Sequence, residues 1–440
     1  MITRWFYLPS LQFLLLALLT GTWLRLQWGW PQWQILGLQM PKALFFRADY
    51  LLHGHSHVAL LGWTFLALAG LVLEAGTRRT RLPVRSLRVL AALIILVTLV
   101  LFIAFVMDGY APLSIALSTI HMLLGYGIAW IFFRHARTDG NTGSRYFFEG
   151  AVFWMVMATA GPWLLATGRG LSPFWMDAAV QYYLHVLFNG WLLFGLAGLA
   201  FRYLIHPRFR QKTWPFWLMM AGLVPSLLPR LGSGAPDAFG LPAHSITAAA
   251  MAGSVLFAAG GLTVVWFIYV SIRVNKISRG MRTNRQIGKS LLWVGLFGSV
   301  PVLLLPVFMS WPPVHALWSQ SDFLTMGFIH LHLLLVVSTL LLYTTIQRVV
   351  FATGTGPPTS CPARGVGGFQ LLLRLGILLF ASGSLAMVGL LIATGLFQLA
   401  GSLPPYPVQK TLFFSGIMTY SGAVLVVFLL FLCYFKPCLK

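Results

Sequence analysis

Apolar stretches of roughly twenty residues recur along the whole chain, separated by short polar breaks, at the length a helix needs to cross a hydrocarbon core. Twelve spans are predicted, at 8–28, 50–73, 87–107, 111–133, 147–167, 178–201, 214–229, 246–272, 290–309, 322–345, 371–399 and 411–435. The seventh is the shortest. The first apolar run lacks a small-residue cleavage site and continues as a full span, so it reads as a helix and not as a cleavable signal. Most breaks are short. The stretch 346–370, with its GTGPPTS and GVGG runs, reads as a flexible linker.

Composition sharpens this picture. Of the 440 residues, 58% are hydrophobic and only 9% are charged, against about 25% charged in soluble domains. The fold class is therefore an all-α polytopic membrane protein, with residues 1–440 forming one domain. No six-plus-six repeat is legible. The net charge of +22 would suggest nucleic acid if it were spread over a soluble surface, but it collects in alternate loops. Arg78, Arg79, Arg81, Arg85 and Arg88 follow the second span; Arg134, Arg137 and Arg145 follow the fourth. Arg202, Arg208, Arg210 and Lys212 follow the sixth, and Arg273, Lys276, Arg279, Arg282, Arg285 and Lys289 follow the eighth. The other loops hold Lys42, Arg47, Arg169, Arg230 and Lys410. This is the positive-inside pattern. It places both termini in the cytoplasm and makes membrane lipid, not nucleic acid, the partner of the excess charge. Cys361, Cys433 and Cys438 then fall on the cytoplasmic side, with no disulfide framework and no C-x-x-C-H for covalent heme.

Histidine carries the candidate chemistry. HGHSH places His53, His55 and His57 in the second span, and HLH places His330 and His332 in the tenth. The second, fourth, sixth and tenth spans enter from the outer face. At about 1.5 Å per residue, His57, His185, His121 and His332 lie roughly 10 to 15 Å deep. A lone buried histidine is ordinarily explained by a hydrogen bond to a backbone carbonyl, and His121 taken singly reads that way. Four such rings in one layer call for a ligand. Residues i and i+2 point about 200° apart on a helix, so His330 and His332 face opposite sides and suit two planar cofactors flanking that span. His53 and His57 share a face, while His55 looks the other way. Iron with open axial positions is the usual partner of such imidazoles; zinc fits less well without carboxylate or cysteine.

These features resemble subunit I of the heme-copper oxidase superfamily, nearest the nitric oxide reductase and C-type oxidase branch. The likeness rests on twelve spans, histidine in the second, and TMGFIHLHLLL at 325–335 in the tenth. It implies two hemes, b-type, with His330 on the high-spin heme and His332 paired with His57 or His55 on the low-spin one. It also implies His185 as a ligand of non-heme copper or iron. Further, it implies a bacterial inner-membrane location and electrons from a quinol or a cytochrome c-type subunit. The run His185-Val-Leu-Phe-Asn189 keeps that histidine, but Asn189 stands where the reductases carry an acid. The seventh span, WPFWLMMAGLVPSLLPRLG, lacks the family's adjacent histidine pair.

Three readings follow. The first is an oxidoreductase that reduces NO or O2 or passes electrons, with His330, His185 and Asn189 as catalytic candidates and the non-heme metal absent or altered. The second keeps the hemes without turnover, as a gas-binding, sensing or assembly component. The third is a secondary transporter, which would call for midplane ionisable groups and repeats. None of the eight acids lies mid-membrane, so proton pumping is not expected. Arg47 and Arg230 are candidate partners for heme propionates. Trp63 and Trp191 are expected to pack in the core.

Overall fold

A computed structural model describes residues 3–30, 34–35, 38–39, 47–77, 82–136, 141–168, 170–278, 288–351, 367–404 and 407–435. Lys42, Arg78, Arg79, Arg81, Arg137, Asp139, Arg169, Arg279, Arg282, Arg285, Cys361, Cys438 and most of 346–370 lie outside the described residues. The chain is a helical membrane protein with a single two-residue ladder among the described residues. Eleven helices among the described residues are long and apolar enough to cross a membrane. They are α1 (Thr3–Gly29), α2 (Ala48–Gly76), α3 (Val84–Asp108), α4 (Pro112–His135), α5 (Thr142–Thr167) and α6 (Pro173–Tyr203). After a shorter α7 (Trp214–Leu223) come α8 (Ala243–Ser278), α9 (Lys289–Met309), α10 (Asp322–Arg348), α11 (Gly367–Leu399) and α12 (Val408–Phe435). The α10 helix continues as far as Phe351, so regular structure extends into the start of the predicted linker. A two-residue antiparallel ladder, Gln34–Ile35 with Leu38–Gln39, lies between α1 and α2.

The seventh predicted span departs from a simple crossing. Its α-helix lasts ten residues and passes into 3-10 turns over Pro225–Gly234. Pro225 and Pro229 lack the amide hydrogens an α-helix would use, and Gly232 takes a φ of 69° that other residues avoid. The switch to i,i+3 bonding is visible at Leu227, whose N–H donates to the Val224 carbonyl. That bond removes the partner the Leu223 carbonyl would have had in an α-helix.

Contacts between helix ends distinguish the two ends of the bundle. At the basic end, Thr77 after α2 bridges Ala136 after α4, and the Gly143 amide at the start of α5 donates to the Arg210 carbonyl after α6. At the other end the Arg25 guanidinium of α1 donates to Gln409 of α12, and Ser321 before α10 donates to Gln398 of α11. Burial then ranks the helices. In their most apolar windows α6 is 89% buried, α2 78% and α10 67%, whereas no other span exceeds 50%. The three most buried spans include α2 and α10, the carriers of HGHSH and HLH, and α6, which carries His185.

Candidate cofactor site

Each of these three helices changes its winding at its histidine. A π segment runs over Val58–Thr64 directly after His57, over Val186–Leu193 directly after His185, and over Leu331–Ser338 directly after His330. Such wide turns are uncommon and concentrate at functional sites, because the extra residue re-aims side chains on either side of it. The three segments meet at the centre of the bundle. Trp63 Nε1 donates to Ser338 Oγ at 2.9 Å, Phe188 lies 5.4 Å from the His332 ring, and Phe65 lies 6.0 Å from Trp191. Trp63 and Trp191 are both core residues, as expected.

The histidines divide by what holds their nitrogens. His55 Nδ1 lies 2.9 Å from the Ala17 carbonyl of α1, His57 Nδ1 2.9 Å from the His53 carbonyl, and His330 Nδ1 2.8 Å from the Met326 carbonyl. A carbonyl can only accept, so in each ring the proton sits on Nδ1 and Nε2 carries the lone pair. This arrangement of an outer N–H anchored to backbone is the usual support of a metal-ligating histidine. The His55 ring also lies against Gly21, where a Cβ would stand 2.8 Å from its Cε1, so only glycine leaves room for it. His332 is wholly buried and neither nitrogen makes a hydrogen bond; the Phe188 carbonyl beside it does not reach bonding geometry. His121, edge-on to Phe65 at 5.0 Å, leaves Nε2 unpaired as well.

His185 is the exception. Its Nε2 lies 2.9 Å from the Leu223 carbonyl and 3.2 Å from Ser226 Oγ, and Asn189 Nδ2 approaches Nδ1 at 3.2 Å. With Nε2–H donating to the carbonyl and Nδ1 accepting from the amide, both nitrogens are used. The acceptor is the carbonyl released by the break in α7. The helix that lacks histidines thus supplies the group that occupies the one on α6.

The two α10 histidines have different surroundings. His330 lies within electrostatic reach of His55 and Arg25, while His332 faces Phe188 of α6 and lies near His185 and Arg230. On the His330 side of α10 the α2 histidine within electrostatic reach is His55. His57 turns to the opposite side of α2, stacked on Phe105 at 4.1 Å and within reach of His121.

Of the expected arginines, Arg230 stands beside His332 with its guanidinium 5.5 Å from the Phe328 ring. Arg47 is engaged elsewhere, 2.7 Å from Asp49 and over Tyr50, with side chains 65% and 54% exposed in the ion pair. Sequence reasoning missed Arg25, which is 5% exposed, donates to Gln409 Oε1 at 3.1 Å and lies within electrostatic reach of both His55 and His330. Outside the spans, burial and the charge of Arg230 hold His315 below its ordinary value, and burial pushes the Tyr110 hydroxyl up.

No group of three His, Cys, Asp or Glu side chains able to hold a metal ion is present among the described residues. A heme asks less of the chain, because the porphyrin supplies most of the iron's ligands and one or two imidazoles complete them. The donor set fits that demand: lone pairs on His55 and His330, two unpaired nitrogens on His332, with the buried guanidinium of Arg25 near the first pair and the half-buried one of Arg230 near His332. Comparison with known families finds no family model that matches the chain, and comparison with curated proteins finds no match.

Proposed function

We propose that this chain is a heme-binding integral membrane protein of the redox class, holding two b-type hemes on either side of α10. His55 and His330 would hold one, near Arg25. His332 is the ligand of the other, near Arg230. The observation that carries this reading is the anchoring of His55 and His330 through Nδ1, which leaves Nε2 of each as a donor. A bound heme supplies one-electron chemistry and, at an open axial position, gas binding. The chain's own part is to present the imidazoles, exclude water from them and balance carboxylate charge with Arg25 and Arg230.

The activity favoured is electron transfer or reduction of a small gas such as NO or O2 in a bacterial inner membrane, supplied by a quinol or a cytochrome c-type subunit. In this reading 214–234 makes a twelfth crossing, the basic end faces the cytoplasm, and both termini lie there. A second reading, a gas-binding, sensing or assembly component without turnover, draws on one observation. His185 has both nitrogens occupied by protein groups, so the reading assigns it no copper or iron.

The test is a pyridine hemochrome assay with iron and copper analysis, run beside a reduced-minus-oxidised spectrum with and without CO. Two b-type hemes per chain, one of them CO-reactive, and no stoichiometric copper are expected. A heme-free protein from heme-replete cells would sink both readings. Steady-state NO or O2 reduction would select the first over the second.

A further inference from the structure

Away from the histidines, α3 and α4 enclose a groove of about 600 Å³ at the basic end of the bundle. Its mouth is formed by Arg85, Ser86, Arg134 and His135, and its walls by Val89, Leu90, Leu93, Gly127, Trp130 and Ile131. The sequence dictates this division. Arg85, Val89 and Leu93 are spaced by four on α3, and Arg134 and Trp130 by four on α4, so each helix turns one cation and an apolar stripe to the same face. The helices run antiparallel, which brings both arginines to one level. From there the α3 stripe descends about 12 Å toward the bilayer interior.

Two features ask for an occupant. Both arginines are exposed at the mouth, and among the described residues no acid lines the groove and neither arginine has an ion-pair partner. Trp130, 73% exposed, stands one turn deeper, at the level where indole favours a headgroup boundary. A free anion would use the arginines but not the apolar trough below them. A soluble protein would not reach into hydrocarbon. From this we infer that the groove is a binding site for an anionic glycerophospholipid. Its phosphate sits between Arg85 and Arg134, where guanidinium groups offer paired donors, and an acyl chain lies along Val89, Leu93 and Trp130. The floor is set at Gly127, where a Cβ would already come within 3.3 Å of Leu90. The site needs only that α3 and α4 cross the membrane, and it is independent of any cofactor.

The test is native mass spectrometry of the full-length protein in mild detergent, titrated with phosphatidylglycerol or with phosphatidylcholine of the same acyl chains. Phosphatidylglycerol should bind at least about fivefold more tightly, and Arg85→Ala/Arg134→Ala should bring the ratio near one. A matched pair at the same end, Arg208→Ala/Lys212→Ala, should keep the preference. Gly127→Met should weaken phosphatidylglycerol binding with both cations intact. An unchanged preference in the first double variant would overturn the site, as would an equal loss in the matched pair, which would mark general surface charge. Millimolar inorganic phosphate that displaces the lipid as readily as phosphatidylglycerol does would identify a free-phosphate site and overturn the lipid assignment.

Discussion

His55 and His185 stand close before π segments in neighbouring deeply buried spans, yet the protein treats their nitrogens oppositely. His55 is fastened by one nitrogen to the Ala17 carbonyl and seated against Gly21. His185 is fastened by both, to the Leu223 carbonyl and Asn189, with Ser226 at hand. A buried imidazole costs free energy unless its polar atoms are paired, and His185 meets that cost entirely from protein groups. His55 and His330 are half-buried and pair one nitrogen each, whereas the wholly buried His332 pairs neither. The difference separates a histidine whose two nitrogens are both taken by the protein from one that keeps a lone pair free, as the proposed heme ligands would need, and a count of histidines cannot show it.

The largest expected effect tests the ready pair. His55→Ala or His330→Ala should lower heme bound per chain by about half, since one of two sites loses an axial ligand. His185→Ala should leave the heme count unchanged. A hemochrome assay on the three purified variants reads this directly. Heme loss on His185→Ala with retention on His55→Ala would reverse the comparison.

Next in size is the cost of unpairing His185. His185→Ala removes a donor from the Leu223 carbonyl and an acceptor from Asn189, and should destabilise by about 1 to 3 kcal/mol. Asn189→Ala leaves only Nδ1 unpaired and should cost about 1 kcal/mol. Thermal unfolding in detergent would order the two. At the ready site, Gly21→Ala should cost about 1 to 3 kcal/mol through overpacking, and in addition shift the heme absorption bands, because the added methyl pushes on the His55 ring. A change in stability without a spectral shift would remove His55 from the heme.

Much of this was legible in the residues. Eleven apolar runs became eleven spans because each segment must satisfy its backbone internally in lipid. The sequence placed His330 and His332 two residues apart, at the start of the deeply buried part of α10. Their partners were not legible. Which α2 histidine meets α10 depends on the π turns, and these re-aim side chains in a way no regular period predicts. One signal was present: His-Val-x-x-x-Gly-Trp occurs at 57–63 and again at 185–191, marking the two spans that share a π turn there. Arg25 was hidden because it looks like a headgroup-level cation at the end of the first span, and its neighbours come from α2, α10 and α12. The closure of His185 was also beyond reach, since it needs a carbonyl freed by 3-10 winding after α7.

The smallest effect asks whether the His332 side holds an anion. His315, in the short helix Pro312–Trp318, is lowered from its ordinary value by burial first and by the positive charge of Arg230 second. A histidine with a depressed folded-state value is neutral in the native protein while the unfolded chain takes up a proton. Its contribution to stability is therefore complete above about pH 6.5 and is lost as pH falls through the folded value. Arg230→Gln should raise His315 toward its ordinary value and flatten this acid-side loss, and His315→Gln should abolish it; melting temperatures between pH 7.5 and 5 would read both. An anionic carboxylate on Arg230 would offset its charge in the same way, so the heme-loaded protein should show less of the Arg230→Gln effect than heme-depleted protein. Equal effects in the two forms would mean that Arg230 faces no bound carboxylate, and would leave Arg25 as the single charge partner of this kind beside α10.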